Sequence, residues 1–100
     1  MPEFLNPFSG VVARKLTKSE LVRAIRLNIA AEHEAVHLYT AHADATDDPL
    51  AKEVLTDIAN EERAHIGEFM ELLRNLAPDE AKFLEDGRKE VAELAEGISP

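Results

Sequence analysis

Apolar positions recur three and four residues apart along two long stretches of this chain. The first series is Leu21, Ala24/Ile25, Asn28, Ala31/Glu32, Ala35, Leu38/Tyr39; the second is Val54, Ile58, Glu62, His65, Phe69, Leu72. A period near 3.6 puts each series on one face of a helix. The first helix is predicted over roughly residues 18–45. Thr17-Lys18-Ser19-Glu20 is a capping box at its start, with Thr17 as N-cap and Glu20 at the third helical position. Thr46-Asp47-Asp48-Pro49 breaks it. Asp48 can cap a second helix and Pro49 fits that helix's first position, giving a helix over roughly residues 49–76. Pro78 ends or restarts it. Beyond it, Phe83, Leu84, Val91, Leu94 and Ala95 form a modest third stripe, which Gly87 is expected to interrupt and Gly97 to close. One kinked helix or two short ones are expected there. Pro2, Asn6-Pro7 and Ser9-Gly10 mark the start of the chain as irregular.

The reading divides the chain into three parts. Residues 1–16 are an irregular arm, 17–76 a helical hairpin, and 77–100 a C-terminal helical segment. The fold class is all-α. The short loop makes helices one and two antiparallel neighbours. Two helices alone bury too little apolar area for a stable monomer. The expected remedy is a second hairpin, so that two chains complete a four-helix bundle by dimerisation.

Charge narrows the function classes. The 100 residues carry 11 Lys+Arg against 20 Asp+Glu, a formal net of −9. That is the wrong sign for a phosphate backbone or an anionic lipid surface. The absence of cysteine removes disulfides, thiolate metal sites and a thiol nucleophile. No apolar run approaches the ~20 residues of a membrane span, and no signal-peptide pattern stands at the start. The surplus is uneven. Residues 1–29 have five cations against two acids, net +3; residues 30–76 have three cations against eleven acids, net −8; the remainder is −4.

Three ionisable residues interrupt the apolar stripes of that acidic middle: Glu32 on the first helix, and Glu62 with His65 on the second. Glu62-Arg63-Ala64-His65 is a Glu-x-x-His step, whose ends share a helix face. A buried carboxylate needs a counter-charge, and a cation supplies it. Carboxylate oxygen with imidazole nitrogen suits iron or manganese, with zinc able to compete. Di-iron carboxylate bundles take one Glu from each of two helices and a Glu-x-x-His from each of the other two. One chain here holds half of that set, and two chains would hold all of it. The dimer expected from core size and the dimer expected from ligand count coincide.

The plainer reading is that Glu61 or Glu62 faces water while the other pairs with Arg63 or Lys52. His33 and His37, at i and i+4, could share a metal, but they sit off the stripe and fit a solvated outer face better. His42 lies near the end of its helix, where a cation suits the dipole. Tyr39, one heptad beyond Glu32, fits a core aromatic and a hydroxyl reaching a ligand carboxylate equally well. Glu34, Glu61, Glu68 and Glu71 read as solvated, and collectively they draw cations inward.

The run Ile29-Ala30-Ala31-Glu32-His33-Glu34-Ala35-Val36-His37-Leu38-Tyr39, followed by Ala59-Asn60-Glu61-Glu62-Arg63-Ala64-His65, resembles the encapsulated ferritins. These are short ferritin-like proteins found inside encapsulin shells, within the wider rubrerythrin and ferritin-like superfamily. The likeness covers roughly residues 18–76, with a weaker echo beyond. Residues 61–73 are especially similar to archaeal forms fused to an encapsulin shell protein. The resemblance implies a di-iron (Fe) site at a dimer interface, with Glu32, Glu62 and His65 of both chains as metal ligands and catalytic residues, and Tyr39 close by. It implies homodimers joined into a larger ring, and ferroxidase activity that oxidises Fe(II) with O2 and feeds iron mineralisation. It also implies a cytoplasmic location inside an encapsulin nanocompartment, with the encapsulin shell protein as partner.

Two features depart from the family's pattern. Position 31 is Ala, where some members carry an acid that makes a pair with the one matching Glu34. The ending Glu96-Gly97-Ile98-Ser99-Pro100 is no obvious shell-targeting peptide. Three other readings compete. A rubrerythrin-like di-iron peroxidase would need an external electron donor, since the chain has no cysteine. The remaining two are a non-enzymatic helical interaction module and a zinc-binding structural dimer.

Overall fold

The structure is a computed structural model that describes residues 14–98. Most of the arm at residues 1–16 therefore lies outside the described residues. Three helices follow: α1 (Lys18–Asp44), α2 (Pro49–Leu76) and α3 (Glu80–Ile98). No strand occurs among the described residues.

Local chemistry sets each boundary. At the start of α1 the Thr17 hydroxyl accepts from the Glu20 amide at 3.1 Å, and the Glu20 carboxylate accepts from the Thr17 amide at 2.9 Å. These bonds satisfy two of the helix's orphan donors reciprocally. Arg14 adds a two-pronged bond to Glu20, at 2.7 Å on each arm. Its guanidinium, followed by the Thr17 amide, holds the Glu20 carboxyl down at about 2. At the other end of α1, Lys52 Nζ donates to the Ala43 carbonyl at 2.7 Å, stitching the start of α2 to the end of α1. Asp48 caps α2 by accepting from the Ala51 amide at 2.8 Å, with Pro49 at the first turn.

α1 and α2 pack as the antiparallel hairpin. Buried or half-buried positions that follow one line along each helix are Ile25, Ile29, Glu32, Val36, Tyr39 and Ala43 on α1, and Leu55, Ala59, Glu62, Ile66, Phe69 and Leu73 on α2. Each series steps by four and three residues, the spacing of a coiled-coil seam. The stripes read off the sequence share Ile25, Glu32, Tyr39, Glu62 and Phe69 with this seam and spread from it to one side. Asn28, Leu38, Val54, His65 and Leu72, all assigned to those stripes, are exposed. Both helices carry apolar residues over more than a single seam, so periodicity alone could not choose the inner edge. Helical spacing puts Leu38 on the same side of the hairpin as Val54, His65 and Leu72. That side is an uncovered, largely apolar face. Among the described residues only Ile25, Ala43, Ala59 and Leu73 are fully buried.

α3 departs from expectation in one respect. It is one continuous helix through Gly87, not broken in two, and runs to Ile98, the last described residue. A helical Gly costs about 1 kcal/mol relative to Ala, which weakens a helix without ending it. Only Glu80 of α3 is better than exposed. It receives both arms of the Arg26 guanidinium from α1, at 2.7 and 3.2 Å. Phe83, Leu84, Val91, Leu94 and Ile98 are all exposed.

Candidate metal centre

Glu32 reaches the seam from the middle of α1, and Glu62 from the middle of α2. His65, one turn further along α2, stands on the open face beside them. Glu32 and Glu62 side chains are 21% and 20% exposed, while His65 is 48% exposed. His65 Nδ1 lies 3.5 Å from Glu32 Oε2 and 3.8 Å from Glu62 Oε2. One ligand atom from each of the three falls within 4.8 Å of the others.

This group lacks what buried acids usually have. Glu32 Oε2 is buried with no hydrogen-bond partner among the described residues. The cations named in the plainer reading are engaged elsewhere, with Arg63 on the Asn60 side chain and Lys52 on the Ala43 carbonyl. Neither neutralises Glu62. Hydrogen bonding to the Glu32 carboxyl holds the Glu62 carboxyl above its ordinary range. Partial burial and the charge of Glu32 push the same way, and His65 only partly opposes them. Two carboxyls and an imidazole thus face one point, with negative charge in excess and an orphaned oxygen. An orphaned buried acceptor costs about 1–3 kcal/mol, more when charged, and a cation removes that cost. The donor set of two carboxylates and one imidazole fits iron or manganese.

A depression of about 310 Å³ opens at the centre, lined by Glu32, His65, Glu68 and Phe69. Glu68 is exposed, as expected of a residue that draws cations inward. Its i+3 spacing from His65 was the signal that places it at this mouth. Tyr39 is half-buried on the seam, one heptad from Glu32. His33, His37 and His42 are exposed and stand apart from the group. Glu34, Glu61 and Glu71 are exposed as expected, and Glu71 pairs with Arg74 at 2.8 Å.

A rubrerythrin family model matches residues 23–98, which include all three members of the group. The chain belongs to the rubrerythrin family. It is 43% identical over 99 residues to the encapsulin nanocompartment cargo protein EncC of Myxococcus xanthus, covering 99% of this chain and 75% of that one. It is 46% identical over 78 residues to a ferritin-like–encapsulin shell fusion protein of Pyrococcus furiosus, covering 78% of this chain and 23% of the fusion. The crystal structure of the encapsulated ferritin domain from Pyrococcus furiosus superposes with a TM-score of 0.83 at 43% identity, over 89% of this chain and 91% of that one. The encapsulated-ferritin resemblance and the all-α fold read from the sequence hold. So does the ferritin-like, iron-related class of the domain. Among the described residues no helix is long and apolar enough to cross a membrane.

Proposed function

We propose that this rubrerythrin-family chain is a ferroxidase whose site is completed by a second copy of itself. The observation that carries the reading is the uncompensated Glu32–Glu62–His65 group, whose carboxylates stand in the seam and whose imidazole opens onto the uncovered face of the hairpin. Two hairpins related by a two-fold axis would bring four carboxylates and two imidazoles together and cover Leu38, Val54 and Leu72 in the same act. Isologous pairing of this kind is the commonest closed assembly.

Fe(II) is the substrate. Glu32 and Glu62 would hold it through oxygen, and His65 of each chain would add a nitrogen. Two Fe(II) held together can pass two electrons to one O2, which avoids the one-electron product superoxide. Hard carboxylate oxygens favour the ferric state, so the ligand set assists the oxidation. Glu68 and the acidic middle of the chain draw cations toward the mouth. We read Tyr39 as a neighbour of the ligand carboxylates rather than as a ligand. The exposed apolar stripe of α3 gives dimers a further surface for joining into a larger ring, and Val91→Asp is expected to reduce the assembly to smaller species by light scattering. The similarity to a named encapsulin cargo protein supports a place inside an encapsulin shell, where ferric product would mineralise, and so a cytoplasmic location.

Aerobic Fe(II) oxidation by the purified chain and by Glu62→Ala tests the activity. Rapid oxidation that is lost in the variant supports it. Equal rates in the two proteins contradict the site. Re-oxidation much faster with peroxide than with O2 would point to the peroxidase reading instead.

A further inference from the structure

We propose that His33 and His37 form a second metal site on the outer side of α1, which takes Zn2+ or another imidazole-preferring divalent ion. The five residues are His33-Glu34-Ala35-Val36-His37. α1 is helical without interruption from Lys18 to Asp44, so the two histidines stand one turn apart on one face. Residues at i and i+4 have Cβ atoms about 5–6 Å apart. A tetrahedral ion with Zn–N bonds of about 2.0–2.1 Å bridges two imidazoles across that span.

The surroundings leave the pair free to act. Both side chains are exposed, and among the described residues neither makes a hydrogen bond or ion pair. Their neighbours along the same face are Ala30, three residues before His33, and Thr40 and Ala41, three and four after His37. The alanines are small, and the Thr40 hydroxyl is turned back onto the Val36 and His37 carbonyls. Arg26, one heptad before His33, is the nearest cation along the face, and its charge is already matched by Glu80. Glu34 is three residues before His37, close enough on the surface to add negative charge and to accept from a metal-bound water.

The order of residue types is that of zinc-binding helices with histidines at i and i+4 and a Glu between them. No third protein ligand joins the pair among the described residues, so water would fill the remaining positions and we assign no hydrolytic role. The donor set separates this site from the centre at Glu32. That one offers two carboxylates and suits iron, whereas this one offers two neutral nitrogens and no carboxylate ligand. By the usual affinity order, nitrogen donors bind Cu2+ and Zn2+ well ahead of Fe2+. The pair lies on the side of α1 away from the uncovered apolar face, so it does not depend on the dimer proposed above.

The test is a calorimetric titration of the full chain with ZnCl2 in a Glu62→Ala/His65→Ala background, which removes the carboxylate centre. One Zn2+ equivalent per chain is expected. His33→Ala and His37→Ala should each abolish it, and His42→Ala should leave it intact. Imidazole proton resonances of His33 and His37 should shift together on adding Zn2+. An equivalent that survives either His33→Ala or His37→Ala overturns the site, as does Zn2+ shifting only one of the two rings.

Discussion

Glu80 and Glu62 are similarly withdrawn from solvent, at 15% and 20% exposure, yet their carboxyls move in opposite directions. Glu80 is pulled below its ordinary range by the two-pronged bond from Arg26. Glu62 is pushed above it, first by its hydrogen bond to Glu32. Burial is common to both, so the partner decides the sign. At Glu80 the fold supplies its own cation and the pair fixes the start of α3 against α1. At Glu62 the fold brings a second acid and an imidazole instead, and leaves an oxygen of Glu32 without a donor. One carboxylate is finished by the chain itself. The other is finished only by something added.

The strongest way to break this contrast is to give the centre its own cation. His65→Arg would place a guanidinium beside Glu32 and Glu62 and turn the centre into a likeness of the Arg26–Glu80 pair. We expect Fe(II) affinity to fall by about a hundredfold or more, on the scale of losses seen when metal-site residues are disturbed, with the helical circular dichroism kept. Anaerobic equilibrium dialysis measures it. Unchanged affinity would mean that the group is not the iron site.

The reverse operation removes the cation from the finished pair. Arg26→Ala should lower stability by no more than about 1 kcal/mol, because half of the Arg26 side chain is in water and screening weakens the pair. Thermal melting reads the loss, and the Glu80 carboxyl resonance should titrate higher in the variant. Iron oxidation should be unaffected, since Arg26 lies outside the centre.

The smallest effect is a pH dependence in metal-free protein. A carboxyl whose folded pKa is raised makes the folded state bind more protons than the unfolded one, so its contribution to stability falls as pH rises through that range. Glu62→Gln removes the contribution. The variant should therefore melt above the parent near pH 7, and the gap should close as pH falls toward the ordinary carboxyl value of 4.5. A gap that does not change between those limits would mean that the two acids do not repel in the folded chain.

Much of this arrangement was legible in the residues. The capping box at Thr17 and Glu20, the Asp48-Pro49 start and the hairpin all follow from local chemistry, and local chemistry is what a sequence states most directly. Glu32, Glu62 and His65 stood out because charged residues interrupted apolar stripes. The inner edge of the hairpin was harder to find. Leu55, Ala59, Ile66 and Leu73 line the seam, whereas the stripe read from the sequence shared Glu62 and Phe69 with it and ran on through Val54, His65 and Leu72 on the open face. The two sets differ by a modest rotation, and a helix meant to contact two neighbours has apolar residues on both. Gly87 misled for a different reason, since a single glycine lowers helix propensity without dictating a break. The Arg26–Glu80 pair joins positions 54 residues apart, and no local pattern announces it.

The central claim is that this chain carries half of a metal centre. Native mass spectrometry of the protein titrated anaerobically with Fe(II) tests it most directly. We expect saturation at about one Fe(II) per chain, as two irons shared by two chains require, with iron found only on species holding an even number of chains. Iron bound stoichiometrically to single chains would contradict it.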